Sequence, residues 1–221
     1  MGSIEQRDNN FVMTGVGMDF IAFDLETTGT VAGVDQIVEI GAVRYINGQA
    51  EGTYSTLVNP RRSMPAGATR VNGITDEMLV GKPHVEDLLE SFTEFCEELP
   101  LVAHNAPFDT QFLKADIIRH EISGPRGLVL DTLPIARKVF PGLANYKLGT
   151  LVQHLDIPSG QFHRAEEDAS YCGALLLEII KKIFNPGEPV QVDNLVALTG
   201  KPEYRFPIIE RREKQLELGL F

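Results

Sequence analysis

The chain has 221 residues, of which 43% are hydrophobic and 23% charged, a balance that suits one large or two small globular domains and excludes wholesale disorder. Its 20 lysines and arginines against 31 aspartates and glutamates give a formal net charge of −11, which excludes a protein that wraps polyanions through a general positive field. Cys96 and Cys172 are too few for a disulfide framework, no apolar run nears the roughly 18 residues of a membrane span, and residues 1–10 carry no signal-peptide pattern, so a soluble cytoplasmic protein is expected.

Residues 1–17 show no periodicity and read as a poorly ordered lead-in. Phe20 to Leu25 is apolar on both faces and predicts a central strand. A second strand from Ile37 to Ile46 runs into Asn47-Gly48, a strong hairpin signal, and a third follows near Thr53 to Val58. The rhythm then changes. A helix is predicted over Val85 to Glu98, a short strand over Leu101 to Ala103, a helix from Pro107 to His120 and a strand over Leu128 to Leu130. Helices near Thr132 to Val139, Lys147 to Leu155 and Ala165 to Phe184 complete an α/β pattern: an antiparallel three-strand meander extended by strand–helix units. Residues 18–184 form one domain on this reading. Residues 185–221, punctuated by Pro186, Gly187, Pro189, Gly200, Pro202 and Pro207, read as an extended tail.

Three acidic motifs carry the chemistry. Asp24-Leu-Glu-Thr-Thr-Gly29 closes the first strand, and alternation along a strand sends Asp24 and Glu26 to one face. Two carboxylates side by side at a buried strand end repel unless a cation or proton intervenes. His104-Asn-Ala-Pro-Phe-Asp109 opens a helix, with Asn105 as its expected N-cap and a proline in its first turn. Taken singly, Asp109 reads as a residue suiting the helix dipole and His104 as a packing histidine. In His163-Arg-Ala-Glu-Glu-Asp168, five helical residues turn through about 500° and would part the end side chains. His163 is therefore expected on the loop and Asp168 in the first turn of the last long helix.

Together, in this order, the motifs resemble the DnaQ-like 3′–5′ exonucleases, the DEDDh branch of the DEDD superfamily, which includes epsilon subunits and PolC-type exonuclease domains of bacterial DNA polymerase III. The resemblance runs from Phe20 to about Phe184 and takes in Val38-Glu-Ile-Gly-Ala-Val43, Gly73-Ile-Thr-Asp-Glu-Met78, Asp131-Thr-Leu133 and Tyr146-Lys-Leu-Gly-Thr150. It departs at Asn72, where a histidine is common. The resemblance implies a ribonuclease H-like fold and hydrolysis of DNA 3′ ends with two divalent cations, Mg²⁺ or Mn²⁺. It also implies that Asp24, Glu26, Asp109 and Asp168 hold those cations and that His163 accepts the proton of the attacking water. Thr27, Thr28 and Gly29 would contact the terminal nucleotide, with Asn105 as a further candidate, and Arg61, Arg62, Arg70, Lys147 and Arg164 could supply a basic rim. An RNA-trimming relative remains open, because the motifs specify the reaction and not the sugar; so does a non-catalytic scaffold.

The last seven residues have their own pattern. Gln215, Leu216, Leu218, Leu220 and Phe221 resemble the peptide by which bacterial replication and repair proteins bind the sliding clamp, with a glutamine setting register and apolar anchors entering pockets. The expected partners are single-stranded DNA 3′ ends, a sliding clamp and a replicative polymerase subunit. An amphipathic tail folding back on its own core is the alternative.

Overall fold

A computed structural model describes residues 17–160 and 162–209. The clamp-like peptide Gln215–Phe221, and the expected lead-in as far as residue 16, lie outside the described residues.

The first three strands are β1 (Phe20–Thr27), β2 (Ile37–Ile46) and β3 (Gln49–Leu57). They form the antiparallel meander, and Asn47 and Gly48 turn between β2 and β3 with φ of 51° and 76°. Positive φ at both positions is what a tight hairpin requires. Next come the helices α1 (Ala66–Asn72), α2 (Asp76–Leu79) and α3 (Val85–Cys96), then β4 (Leu101–Ala103), α4 (Pro107–His120), β5 (Val129–Asp131) and α5 (Thr132–Val139). β4 pairs parallel to β1, and β5 parallel to β4, giving a five-stranded mixed sheet in the order β3-β2-β1-β4-β5. Helices α6 (Leu148–His154), α7 (Ala165–Ile183) and α8 (Val192–Thr199) follow.

Strand parity divides the core. Ile21, Phe23 and Leu25 of β1 pack toward α3 and α4 with Leu89, Phe92, Phe112 and Leu113. Phe20 and Ala22 pack toward α5, α7 and α8 with Ile135, Leu175, Leu176 and Leu195. β1 thus lies mid-sheet between two helical layers, as its unbroken apolar run anticipates. Asp24 and Glu26 continue the parity of Phe20 and Ala22 and so face α7.

The approach of α7 depends on two glycines. A Cβ at Gly41 of β2 would overlap the Ala165 backbone, and one at Gly173 would overlap the Tyr45 ring. Tyr45 also donates its hydroxyl to the Ser170 carbonyl at 3.0 Å. The first turn of α7 is thereby seated directly on β2.

The structure corrects the expected tail. Residues 192–199 are helical, with Val192, Leu195, Val196 and Leu198 packed on the core and Gly200 closing the helix at φ 70°. Beyond it, the Tyr204 carbonyl accepts the Val129 N–H at 2.8 Å along the β5 edge, and Phe206 is buried. The prolines and glycines that read as tether punctuation instead bound a short amphipathic helix. Helices α1 and α2, seven and four residues long, are too short to announce themselves by periodicity. Among the described residues, no helix is long and apolar enough to cross a membrane. Cys96 and Cys172 are buried and unpaired.

Candidate active site

The ends of β1 and β4 and the first turns of α4 and α7 converge on a cleft of about 420 Å³. Asp24, Glu26, Asp109, His163 and Asp168 all line it, together with Thr27, Thr28, Gly29 and Asn105. Every catalytic, metal and substrate candidate read from the three motifs therefore meets at one place.

Each side chain is held by its local structure. Asp109, in the first turn of α4, is buried and accepts the Leu25 N–H at 3.2 Å, tying α4 to β1. Asp168, in the first turn of α7, accepts the His163 N–H at 2.9 Å through Oδ2. His163 has φ of 64° on the loop before the helix and is exposed. Loop and first turn are thus locked by one bond, and the imidazole remains at the cleft rim.

The expected N-cap at Asn105 is a correction. Ala106 occupies that position without a side-chain cap, and Asn105 lies one residue earlier with φ of 66°. A competing carboxylate explains the shift: Asp131 Oδ1 accepts the Asn105 N–H at 3.0 Å and the Leu133 N–H at 3.1 Å. Asparagine tolerates the left-handed region better than most residues, which suits it to that anchored turn. His104 is saturated. Its Nε2 lies 2.8 Å from the Tyr146 carbonyl and its Nδ1 2.9 Å from the Thr132 hydroxyl, while burial pushes its pKa down. It packs as a neutral ring. The Thr27 hydroxyl donates to the Gly29 carbonyl, and Thr28 Oγ1 bonds Asp35 and the Gln36 N–H, so both hydroxyls are engaged inside their own loop.

Two polar groups beside the cleft have roles that sequence reasoning did not assign. Glu39 stands opposite Glu26 in the β1–β2 register, is 1% exposed and is gripped by Arg164 at 2.7 and 3.1 Å. Arg164 is thus a structural partner as well as a basic group. An acid inside the apolar Val38-Glu-Ile40 run was the available signal. Asn72 is buried, accepts the Ile74 N–H at 3.1 Å, and points its amide at the Thr27 carbonyl 3.4 Å away. Among the other rim candidates, Arg61 pairs with Glu86, and Arg62 donates to the Val34 carbonyl.

Burial and crowding raise the pKa values of the cluster. Burial, then the charges of Asp109, Asp168, Glu26 and Glu39, push Asp24 well above the usual carboxylate range. Burial also raises Asp109 well above it, against hydrogen bonds from its own N–H and that of Leu25. Glu26 is pushed up to about 7 by burial and then by Asp168 and Glu39. Burial raises Asp168 as well, opposed by the His163 N–H. Asp168 Oδ1 is buried and has no hydrogen-bond partner among the described residues. Glu26, His163 and Asp168 each offer a ligand atom within 4.8 Å of the others. Four repelling carboxylates with one orphaned buried oxygen fit a hard divalent cation, whose charge would relieve both the repulsion and the unmet acceptor.

Known proteins resemble this chain in sequence and fold. Residues 21–176 match the family model described as Exonuclease. The DNA polymerase III subunit epsilon of Treponema pallidum is 40% identical over 163 residues, covering 73% of this chain and 76% of that protein. The DNA polymerase III PolC-type of Caldanaerobacter subterraneus subsp. tengcongensis is 33% identical over 205 residues, which span 90% of this chain and 15% of that much longer one. The structure of Exonuclease X in complex with 5′ overhanging duplex DNA superposes with a TM-score of 0.65 at 29% identity, covering 81% of this chain and 99% of that one. With the family model spanning most of the sheet and its acidic cleft, the chain belongs to the RNase T/DnaQ-like exonucleases, the metal-dependent DEDD group of 3′–5′ exonucleases with a ribonuclease H-like fold.

Proposed function

We propose that this chain hydrolyses DNA from its 3′ end, releasing nucleoside monophosphates, with Asp24, Glu26, Asp109 and Asp168 as the metal-holding set and His163 as general base. The observation that carries the reading is the meeting of all five side chains in one cleft, with Asp168 Oδ1 left for a cation. Two Mg²⁺ or Mn²⁺ ions bound there would supply positive charge against the phosphate and make a water easier to deprotonate. Asp24, which feels the charges of the other three acids, would help hold both ions. His163, exposed at the rim and held by its backbone to Asp168, would take the proton from the attacking water and pass it to solvent.

Substrate orientation falls to the loop after β1 and the turn before α4. With the Thr27 and Thr28 hydroxyls, the Thr27 and Gly29 carbonyls and the Thr28 N–H engaged internally, the Gly29 N–H and the side chain of Asn105 are left to meet the terminal nucleotide. Val71, 59% exposed on α1, and Phe108 on α4 give the cleft apolar surface for the base. The epsilon and PolC-type names of its relatives support DNA and a proofreading setting. The Gln215–Phe221 pattern supports a sliding clamp as partner and, with those relatives, a replicative polymerase subunit.

The decisive experiment supplies the purified chain with Mg²⁺ or Mn²⁺ and matched 3′-labelled DNA and RNA strands. Metal-dependent shortening of DNA is expected. Shortening of RNA alone would reassign the substrate, and none with either ion would leave a scaffold.

A further inference from the structure

A second cleft, of about 400 Å³, lies against the opposite side of the α4 N-terminus. Asn105, Phe108 and Asp109 line the acidic cleft, whereas Pro107, Gln111 and Lys114 line the second. The first turns of one helix therefore form a wall common to both. The far wall comes from the segment after α8, through Lys201, Pro202 and Tyr204.

The composition of this cleft differs from that of its neighbour. It carries two ammonium groups, Lys114 and Lys201, against one carboxylate, Asp131. Lys201 Nζ already lies 3.2 Å from Asp131 Oδ2, whose other oxygen holds the Asn105 N–H, so the carboxylate is fully committed. Lys114 is exposed and forms no ion pair among the described residues. Tyr204 is fixed by its carbonyl bond to Val129 and by an edge contact with Phe206 at 5.5 Å between centroids. In a chain of net charge −11, an apolar hollow with surplus positive charge and an anchored aromatic ring is a local exception. Aromatic and basic groups side by side bind single strands, the ring by stacking on any base and the cation by pairing with phosphate.

Resting on the exonuclease reading, we infer that this cleft holds the single strand on the 5′ side of the nucleotide being removed. Lys114 pairs with a phosphate there, and Tyr204 packs against a base. The strand crosses the α4 N-terminus at Asn105 and Pro107. From Pro107 to Lys114 the helix rises about 10 Å, equivalent to about three stacked nucleotides at 3.4 Å per step. Affinity should therefore grow with strand length over the first few nucleotides and then level.

The test uses the full chain with Mn²⁺ and two kinds of substrate. Oligothymidylates of about two to eight nucleotides cover the span of the helix, and the p-nitrophenyl ester of thymidine 5′-monophosphate reaches only the acidic cleft. The readout is the ratio of oligonucleotide to ester kcat/KM. In the wild type it should climb with length and level off. Lys114→Gln, at an exposed position, should lower the plateau and reduce the salt dependence on long strands by a slope of about 0.7. Tyr204→Ala should lower the plateau about fivefold or more, and Tyr204→Phe, which keeps the ring, should restore it. Wild-type length and salt dependence in Lys114→Gln would overturn the assignment. If the wild type hydrolyses neither substrate, the exonuclease reading itself has failed, and the strand site falls with it.

Discussion

Arg164 closes on Glu39 across 125 positions of sequence, with Nη2 and Nε at 2.7 and 3.1 Å from Oε1. The other carboxylate oxygen accepts the Ala165 N–H at 3.0 Å. The pair therefore determines where α7 begins, two residues after His163 and three before Asp168. Arg164→Ala would leave a nearly inaccessible carboxylate with one donor, which should cost about 1.5–3 kcal/mol of stability. Activity should fall further than stability explains, because both neighbours of the pair lie in the cleft. Urea unfolding and kcat measured on the same preparation test this; a stability loss with unchanged kcat would make the pair purely structural.

Asp24→Asn should abolish hydrolysis while stabilising the metal-free protein. Removing one of four mutually repelling carboxylates relieves about 1 kcal/mol or more, which for a chain of this size is a rise of about 2–4 °C in Tm. A lower Tm in excess chelator would contradict the repulsion argument.

The pH dependence of stability has a definite sign. Glu26 is raised from 4.5 to about 7, and Asp24, Asp109 and Asp168 are raised in the same direction. Folding therefore favours the protonated forms, and their contribution is present below the unfolded values and lost as pH rises through the folded ones. For Glu26 that window runs from 4.5 to about 7. In chelator, Tm should fall across it. Mn²⁺ should raise Tm more on the alkaline side than on the acid side. A metal-free Tm that increases with pH across the window would count against the cluster.

His163→Ala should retain metal binding and DNA binding and lose on the order of 10²–10⁴ in rate. Isothermal titration with Mn²⁺ beside single-turnover hydrolysis separates the two. If metal affinity collapses along with rate, His163 is a ligand, in keeping with its nearness to Glu26 and Asp168.

Gly41→Ala inserts a methyl group where the Ala165 backbone already lies. Neither β2 nor the first turn of α7 can yield locally, so a loss of about 1–3 kcal/mol is expected. The displaced segment leads to Asp168, so hydrolysis should drop as well. Gly67→Ala on α1, with open space around it, serves as the control for stability.

Much of this architecture was legible from periodicity. The bounds of β2 and α4 fall where the alternation, the Asn47-Gly48 turn and the Pro107 first turn place them. The acids of the cleft were legible because each motif puts a charge where a strand end or helix start would not otherwise carry one. Other features were not, and three of them share a cause. Helix α8 is eight residues long and framed by the residues that usually mark loops. Asn105 was drawn off the N-cap position by Asp131, a partner 26 residues away. Glu39 is meaningful only beside Arg164. Local pattern reports local geometry, and each of these depends on a tertiary partner that no window of sequence contains.

The carboxylate cleft also has a history along the chain. Asp24 emerges with β1, Asp109 after the sheet has gained its fourth strand, and Asp168 only with α7. The bonds that seat them join residues 84 and 125 positions apart. Closing such long loops before any contact rewards them makes this the slow part of folding. A nascent or truncated chain ending before residue 165 would already hold all five strands and lack the last acid. It would also lack α7 and α8, much of the helical layer that covers the Phe20 and Ala22 face of the sheet. The carboxylate set proposed for hydrolysis is thus complete only late in the birth of the molecule, once α7 has been made.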